Sequence, residues 1–437
     1  MNAFAAIEQN GFIINGEASD YTPLLDLIGD KRFILLGEAS HGSHEFYAER
    51  VKITQKLIIE KGFNAVAIEG DWPDAYRVNR YVTHQGHDQN ANEALSGFIR
   101  FPSWMWRNFV MVEFVDWLRN YNQSIDHTDS EIGFYGLDLY SLFTSIDEVI
   151  RFLRKYDAAL AQQAKERYAC FDRFGRDSQR YGYAVGLGNG SLSCEDEVVT
   201  QFLELNRLKP NQLSEPFFSA QQNANLVKNA EQYYRSMFNS GVSSWNLRDQ
   251  HMMQTLIEID RYVSNKKSKP AKMIVWAHNS HLGDARATEM AVRGELNLGQ
   301  LVRQRYADNA FLLGFSTHHG TVTASSDWGD PEEIKKVRPA LKESYEYLMH
   351  CSGLGNFLLP LHANPNLIEL LSVERLERAI GVIYRPETER QSHYLYANLP
   401  YQFDAIIHID KTSALQPIDI GQRWRSGEAP ETFPVGI

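Results

Sequence analysis

The chain has 437 residues, enough for two average domains or one large α/β domain with insertions. Apolar residues make up 43% and charged residues 23%, an ordinary globular balance, and a net charge of −11 without any Lys/Arg run argues against a nucleic-acid partner. The N-terminus lacks a basic start and carries Glu8, which argues against a secretory signal, and no apolar run reaches the ~18 residues of a membrane span.

In chain order, Arg32–Leu36 is a short apolar run stopped by Gly37-Glu38, and it predicts a buried strand. Residues 44–61 carry apolar side chains at helical spacing and end at Lys61-Gly62, a basic last turn followed by a glycine stop. Phe63–Ile68 is a second strand, stopped by Glu69-Gly70-Asp71, so the three pieces form a βαβ unit of a parallel sheet. Residues 104–120, 141–168 and 217–263 read as long helices, and the Gly-rich stretch 182–193 as a loop. Ile132–Leu137 ends at Asp138, Met273–Ala277 ends at His278, and Phe311–Phe315 ends before His318-His319, a pair expected to be loop residues without a role. Ile380–Tyr384 and Ala405–Ile409 read as two further strands at the sheet edge. The expectation is one α/β domain over residues 1–437: a mixed, mainly parallel sheet flanked by helices, with helical insertions at roughly 98–125 and 141–263. Cys170, Cys194 and Cys351 are scattered and odd in number, which predicts unpaired thiols, no cysteine-rich metal site and a cytoplasmic setting.

Ligands in open α/β sheets bind outside the carboxyl ends of the strands. Those ends carry Glu38, Glu69, Asp138 and His278, which makes that crevice the place to look for chemistry. His41, in Gly37-Glu38-Ala39-Ser40-His41-Gly42, is suited to activating water as a general base, with a neighbouring carboxylate setting its tautomer. A plain alternative makes Ser40 or Ser43 a helix cap and His41 a first-turn residue. Glu69 brings a second carboxylate one strand away, and Arg50 on the intervening helix is a candidate counter-charge. His278 and His281 in His278-Asn279-Ser280-His281 allow a metal site completed by Glu38 and Glu69, although the H-E-x-x-H helix pattern is missing. No G-x-S-x-G elbow is present, which favours attack by water over an acyl-enzyme. Trp72, Trp104, Trp106 and Arg107 lie near these motifs as candidate walls of a substrate pocket.

Taken in order, GEASHG, IEGDW, SWMWRN, GLD and WAHNSHLGD resemble the erythromycin esterase family over about Phe33 to Ile409. The resemblance implies hydrolysis of an ester or lactone in a small molecule, by water and without a metal or other cofactor. It implies an essential His at His41 with Glu38 beside it, and Glu69, Arg50 and His278 as further catalytic residues. Arg248 falls on a family pocket position and His281 lies beside the distal His; with them, Asp138, Trp72, Trp104, Trp106 and Arg107 are expected to contact substrate from their place near these motifs. Macrolides and antibiotic resistance belong to some members, while Tyr384–Arg390 is similar to a wider branch of the family. Two rivals share the same residues: a metal-dependent hydrolase, and a binding protein for haem or another small molecule.

Overall fold

The protein is described by a computed structural model over residues 2–125, 131–186, 193–208, 214–238 and 241–421. Its strands are β1 (Phe12–Ile13), β2 (Phe33–Leu36), β3 (Ala65–Asp71), β4 (Gly133–Asp138), β5 (Met273–Trp276), β6 (Ala310–Ala324), β7 (Glu333–Val337), β8 (Phe357–Pro360), β9 (Arg375–Arg378), β10 (Tyr394–Ala397) and β11 (Ala405–Thr412). Nine of them form one sheet in the order β1-β8-β11-β6-β2-β5-β3-β4, with β7 paired to β6, and β9 and β10 form a separate ribbon. From β11 across to β4 every neighbouring pair is parallel, while the pairs β1–β8, β8–β11 and β6–β7 are antiparallel.

The parallel strands are covered on both faces, which explains their unbroken apolar runs. Phe33, Leu35, Ala65 and Ala67 join one core; Ile34, Leu36, Val66 and Ile68, one residue out of phase, join the other. Helix α1 (His44–Lys61) links β2 to β3 and stops at Gly62, whose φ of 68° suits a left-handed glycine cap. Helices α2 (Trp72–Val82) and α3 (Phe109–Gln123) fill the connection from β3 to β4. Between β4 and β5 come α4 (Leu142–Tyr156), α5 (Ala158–Tyr168), α6 (Ser178–Gly186), α7 (Glu195–Arg207), α8 (Glu215–Ser236) and α9 (Gly241–Lys267). Among the described residues, no helix is long and apolar enough to cross a membrane.

Several expectations need correction. The expected helices at 141–168 and 217–263 are each two helices, and 104–120 begins as a short 3-10 turn, Ser103–Met105. Residues 182–186 end α6 rather than forming a loop, and 187–192 lie outside the described residues. β3 begins at Ala65 and does not stop at Ile68 but runs through Glu69-Gly70-Asp71 to pair Asp71 with Asp138. Likewise β6 does not stop at Phe315 but continues through His318-His319, where β11 and then β7 pair with it. β11 is interior, between β6 and β8, because β8 and then β1 lie outside it. Ile380–Tyr384 is no strand: it touches the sheet by single bridges, Ile380 to Ser40 and Ile383 to Ser325. Cys170 and Cys194 are bonded to each other, leaving Cys351 free and exposed. Cys170 closes the turn after α5 and Cys194 opens α7, so the pairing comes from helices folding back, which linear spacing does not reveal.

Candidate active site

The carboxyl ends of β2, β5, β3 and β4 do converge, and they bring Glu38, His278, Glu69 and Asp138 into one buried cluster. The loop after β2 is shaped by close approaches. A Cβ on Gly37 would overlap the Asn279 side chain, and one on Gly42 would overlap the Thr323 carbonyl. The His41 N–H bonds to Ile380 O and the Leu415 N–H to Gly42 O, so the loop is clamped before α1 begins. Ser43 makes no side-chain cap; it and Ser40 bond to each other, and His41 lies ahead of the helix.

His41 Nδ1 lies 3.0 Å from Glu38 Oε1. The other oxygen of Glu38 accepts from Arg50 at 2.5 Å, and the Arg50 guanidinium is stacked over the rings of Tyr47 and Trp276. A carboxylate held this way only accepts, so Nδ1 carries the imidazole proton and Nε2 keeps its lone pair. The Tyr47 hydroxyl donates to the His41 carbonyl and completes the clamp.

His278 has the opposite tautomer. Its Nδ1 accepts from the Ser280 backbone N–H at 3.2 Å and lies 2.8 Å from the Ser280 hydroxyl, so the proton sits on Nε2. Burial, reinforced by His41, pushes its pKa well below that of a free histidine and keeps the ring neutral. The two rings lie 4.9 Å apart, and among the described residues neither buried Nε2 makes a well-formed hydrogen bond, although the Ala39 carbonyl lies within reach of the His278 ring. One unpaired acceptor therefore sits close to one unpaired donor.

Glu69 does not touch His41. It accepts from Arg248 at 2.6 Å on one oxygen and from the His278 N–H at 2.9 Å on the other. Burial alone would raise its carboxyl, but His281, Arg248 and His41 outweigh it and hold Glu69 well below the usual carboxylate range. Arg248 also grips Asp138 with two bonds, 3.1 and 2.7 Å. His281 is fully buried, stacked on Trp245, with Nδ1 2.9 and 3.0 Å from the oxygens of Asp249 and Nε2 2.9 Å from Arg248. Burial pushes Asp249 up. Burial alone would lower His281, but Asp249 and Glu69 outweigh it and push His281 up. A guanidinium can only donate, so the Arg248 bond to Nε2 requires the ring proton on Nδ1.

These contacts also bear on the metal alternative. Glu38 is closed by Arg50 and His41, Glu69 by Arg248 and a backbone N–H, and His281 by Asp249 and Arg248. Guanidiniums occupy the places a cation would take, and no group of three or more His, Cys, Asp or Glu among the described residues is arranged to hold a metal ion.

Of the candidates at the periphery, Trp106 is buried against Tyr47 and Phe98, with its indole N–H beside Gly70 and without an acceptor. Trp104 packs on Phe101, also with an unpaired N–H. Trp72 is not part of the cluster: it packs between Tyr135 and Phe218 and donates to Ser219. Arg107 is drawn away to Asp419. His318 stacks on His350, apart from the cluster. Sequence reasoning missed Asp249, Ser280 and Tyr47. Ser280, between the two histidines of the motif, was the one with a visible signal.

The sequence model of the erythromycin esterase family matches residues 58–412. Erythromycin esterase type II of Escherichia coli is 22% identical over 427 residues, covering 91% of this chain and 94% of the relative. The putative hydrolase YbfO of Bacillus subtilis (strain 168) is 21% identical, covering 74% and 72%. Among solved structures, a succinoglycan biosynthesis protein superposes with a TM-score of 0.77 at 22% identity, covering 95% of this chain and 97% of that one. A mutant of the erythromycin esterase EreC, in its open conformation, gives 0.67 at 18%, covering 92% and 96%. The fold is shared with both.

Proposed function

The chain belongs to the erythromycin esterase family, and from that premise we propose that it hydrolyses an ester or lactone bond in a small molecule, with His41 activating water. The observation that carries this reading is the pair of unpaired, buried Nε2 atoms on His41 and His278. His41 Nε2 takes a proton as the water oxygen bonds to the carbonyl carbon, and Glu38 stabilises the imidazolium that results. His278 Nε2–H donates to the developing oxyanion. As the ester C–O bond breaks, His41 returns the proton to the leaving alkoxide. General-base help of this kind contributes about 10²–10⁴-fold.

Arg50 acts in this scheme through Glu38, since its guanidinium bonds that carboxylate under two aromatic rings. Glu69 acts through the His278 backbone, and Arg248, itself held by Asp138 and His281, holds Glu69. Trp104 and Trp106 offer unpaired indole donors to a substrate. Both imidazoles are fully buried in this structure. The test is turnover of a panel of small esters, lactones and macrolides by wild type and His41→Ala, with and without a chelator. Chelator-resistant turnover that disappears in the variant supports the reading. Turnover lost to the chelator, or persisting in the variant, sinks it.

A further inference from the structure

Resting on the hydrolase reading, we propose that Asp249 is a positioning residue that sets the tautomer of His281 and, through it, the geometry of Arg248, Glu69 and His278. The chain of contacts is continuous. Asp249 is fully buried and accepts from the Leu298 N–H at 2.7 Å, which fixes its carboxylate independently of the histidine. Its two oxygens lie 3.0 and 2.9 Å from His281 Nδ1, and Trp245 lies flat against the ring at 4.5 Å with 9° between planes. The ring is therefore held with Nδ1 toward Asp249, and Glu69 Oε1 stands farther from Nε2, at 3.4 Å, than Arg248 does.

The consequence falls on the opposite nitrogen. Nε2 faces Arg248 Nη1 at 2.9 Å, and it accepts that bond only when the proton is on Nδ1. With Nη1 seated there, Nη2 of the same guanidinium reaches Glu69 at 2.6 Å and Asp138 at 2.7 Å. The second oxygen of Glu69 then holds the His278 N–H at 2.9 Å. Four links thus run from a carboxylate on α9 to the backbone of the histidine that faces His41, and the same links tie the helical segment to the strand ends.

The substitution Asp249→Asn breaks the chain in a defined way. The one side-chain carbonyl that the amide retains is claimed by the Leu298 N–H, which leaves the NH₂ group facing Nδ1. The His281 proton then moves to Nε2, where it meets the Arg248 N–H, and the guanidinium loses its seat. Outer-shell partners of this type are typically worth about 10–100-fold.

The experiment compares wild type, Asp249→Asn, His281→Gln and the double variant on the best small ester of the panel, with ¹⁵N-histidine NMR on the whole protein. The expected result is an Nδ1-protonated His281 in wild type and an Nε2-protonated one in Asp249→Asn, with kcat down about 10–100-fold and KM changed far less. Asp249→Asn should add nothing in the His281→Gln background, as required of a residue that acts through His281. An Nε2-protonated His281 in wild type overturns the proposal, and that measurement does not depend on the variants folding. So does an Asp249→Asn enzyme with unchanged kcat, or one whose loss is the same with and without His281. If wild type hydrolyses no ester, the functional reading fails, while the NMR spectra still decide the tautomer.

Discussion

Glu38 and His41 are three residues apart and 3.0 Å apart, with the imidazole donating and the carboxylate already bound to Arg50. That polarity makes His41 Nε2 the basic atom. Glu38→Gln would turn an amide N–H toward Nδ1 and move the ring proton onto Nε2. We expect it to lower kcat by about 10²–10⁴-fold, close to the effect of His41→Ala, with an unchanged circular dichroism spectrum. A Glu38→Gln enzyme with wild-type kcat would refute the assigned tautomer.

The loop that carries the dyad tolerates no side chain at Gly42, where a Cβ would run into the Thr323 backbone. Both sides are held, by the Thr323 N–H and the Leu415 N–H on the Gly42 carbonyl at 2.9 and 2.8 Å. Gly42→Ala should destabilise the fold by about 1–3 kcal/mol and cost most of the activity, because the loop can relieve the overlap only by moving His41. Thermal melting and kcat measured on the same preparation check this; a variant with both unchanged would contradict it.

Acid should weaken the helical segment through His251, fully buried on α9 and hydrogen-bonded by Asn229 at 2.8 Å. Burial lowers its pKa from 6.5 to about 4. Between these values the unfolded chain binds a proton that the folded chain refuses. Stability is therefore full above pH 6.5 and is lost as pH falls toward 4, by about 3 kcal/mol for this group. Melting temperatures between pH 7 and 4 should fall less steeply for His251→Gln than for wild type. Parallel curves would count against the assignment.

The Cys170–Cys194 bond closes a 24-residue separation, and its loss should cost about 3 kcal/mol. Thiol titration of the denatured protein without reductant should find Cys351 alone, and all three cysteines after reduction. Reductant should also lower the melting temperature, an effect that Cys194→Ser reproduces and that reductant does not increase further. Three free thiols before reduction would exclude the bond.

Much of the architecture is readable from residues alone. β2, β3, β4 and β5 announce themselves because a parallel strand buried on both faces must be apolar along its core-facing length, although β3 and β4 run on through the polar residues that follow. Their polar ends are the candidate site, so Glu38, Glu69, Asp138 and His278 stand out together along the chain. The length of β6 and the irregular path of Ile380–Tyr384 are not legible, since each depends on which distant segment offers hydrogen-bond partners.

The sequence by itself thus determined the α/β class, the points where the parallel strands turn from apolar to polar and the set of charged and imidazole groups gathered there, because these follow from local polarity along the chain. Only the tertiary structure decided who pairs with whom. Glu38 rather than Glu69 holds His41, Arg50 serves Glu38, and Arg248 meets Glu69 across 179 positions of chain. It also separated Trp106, at the wall of the cluster, from Trp72 and Arg107, which point elsewhere. The physical reason is that a hydrogen bond is fixed to tenths of an ångström by helix rotation and rotamer, and neither is encoded in spacing.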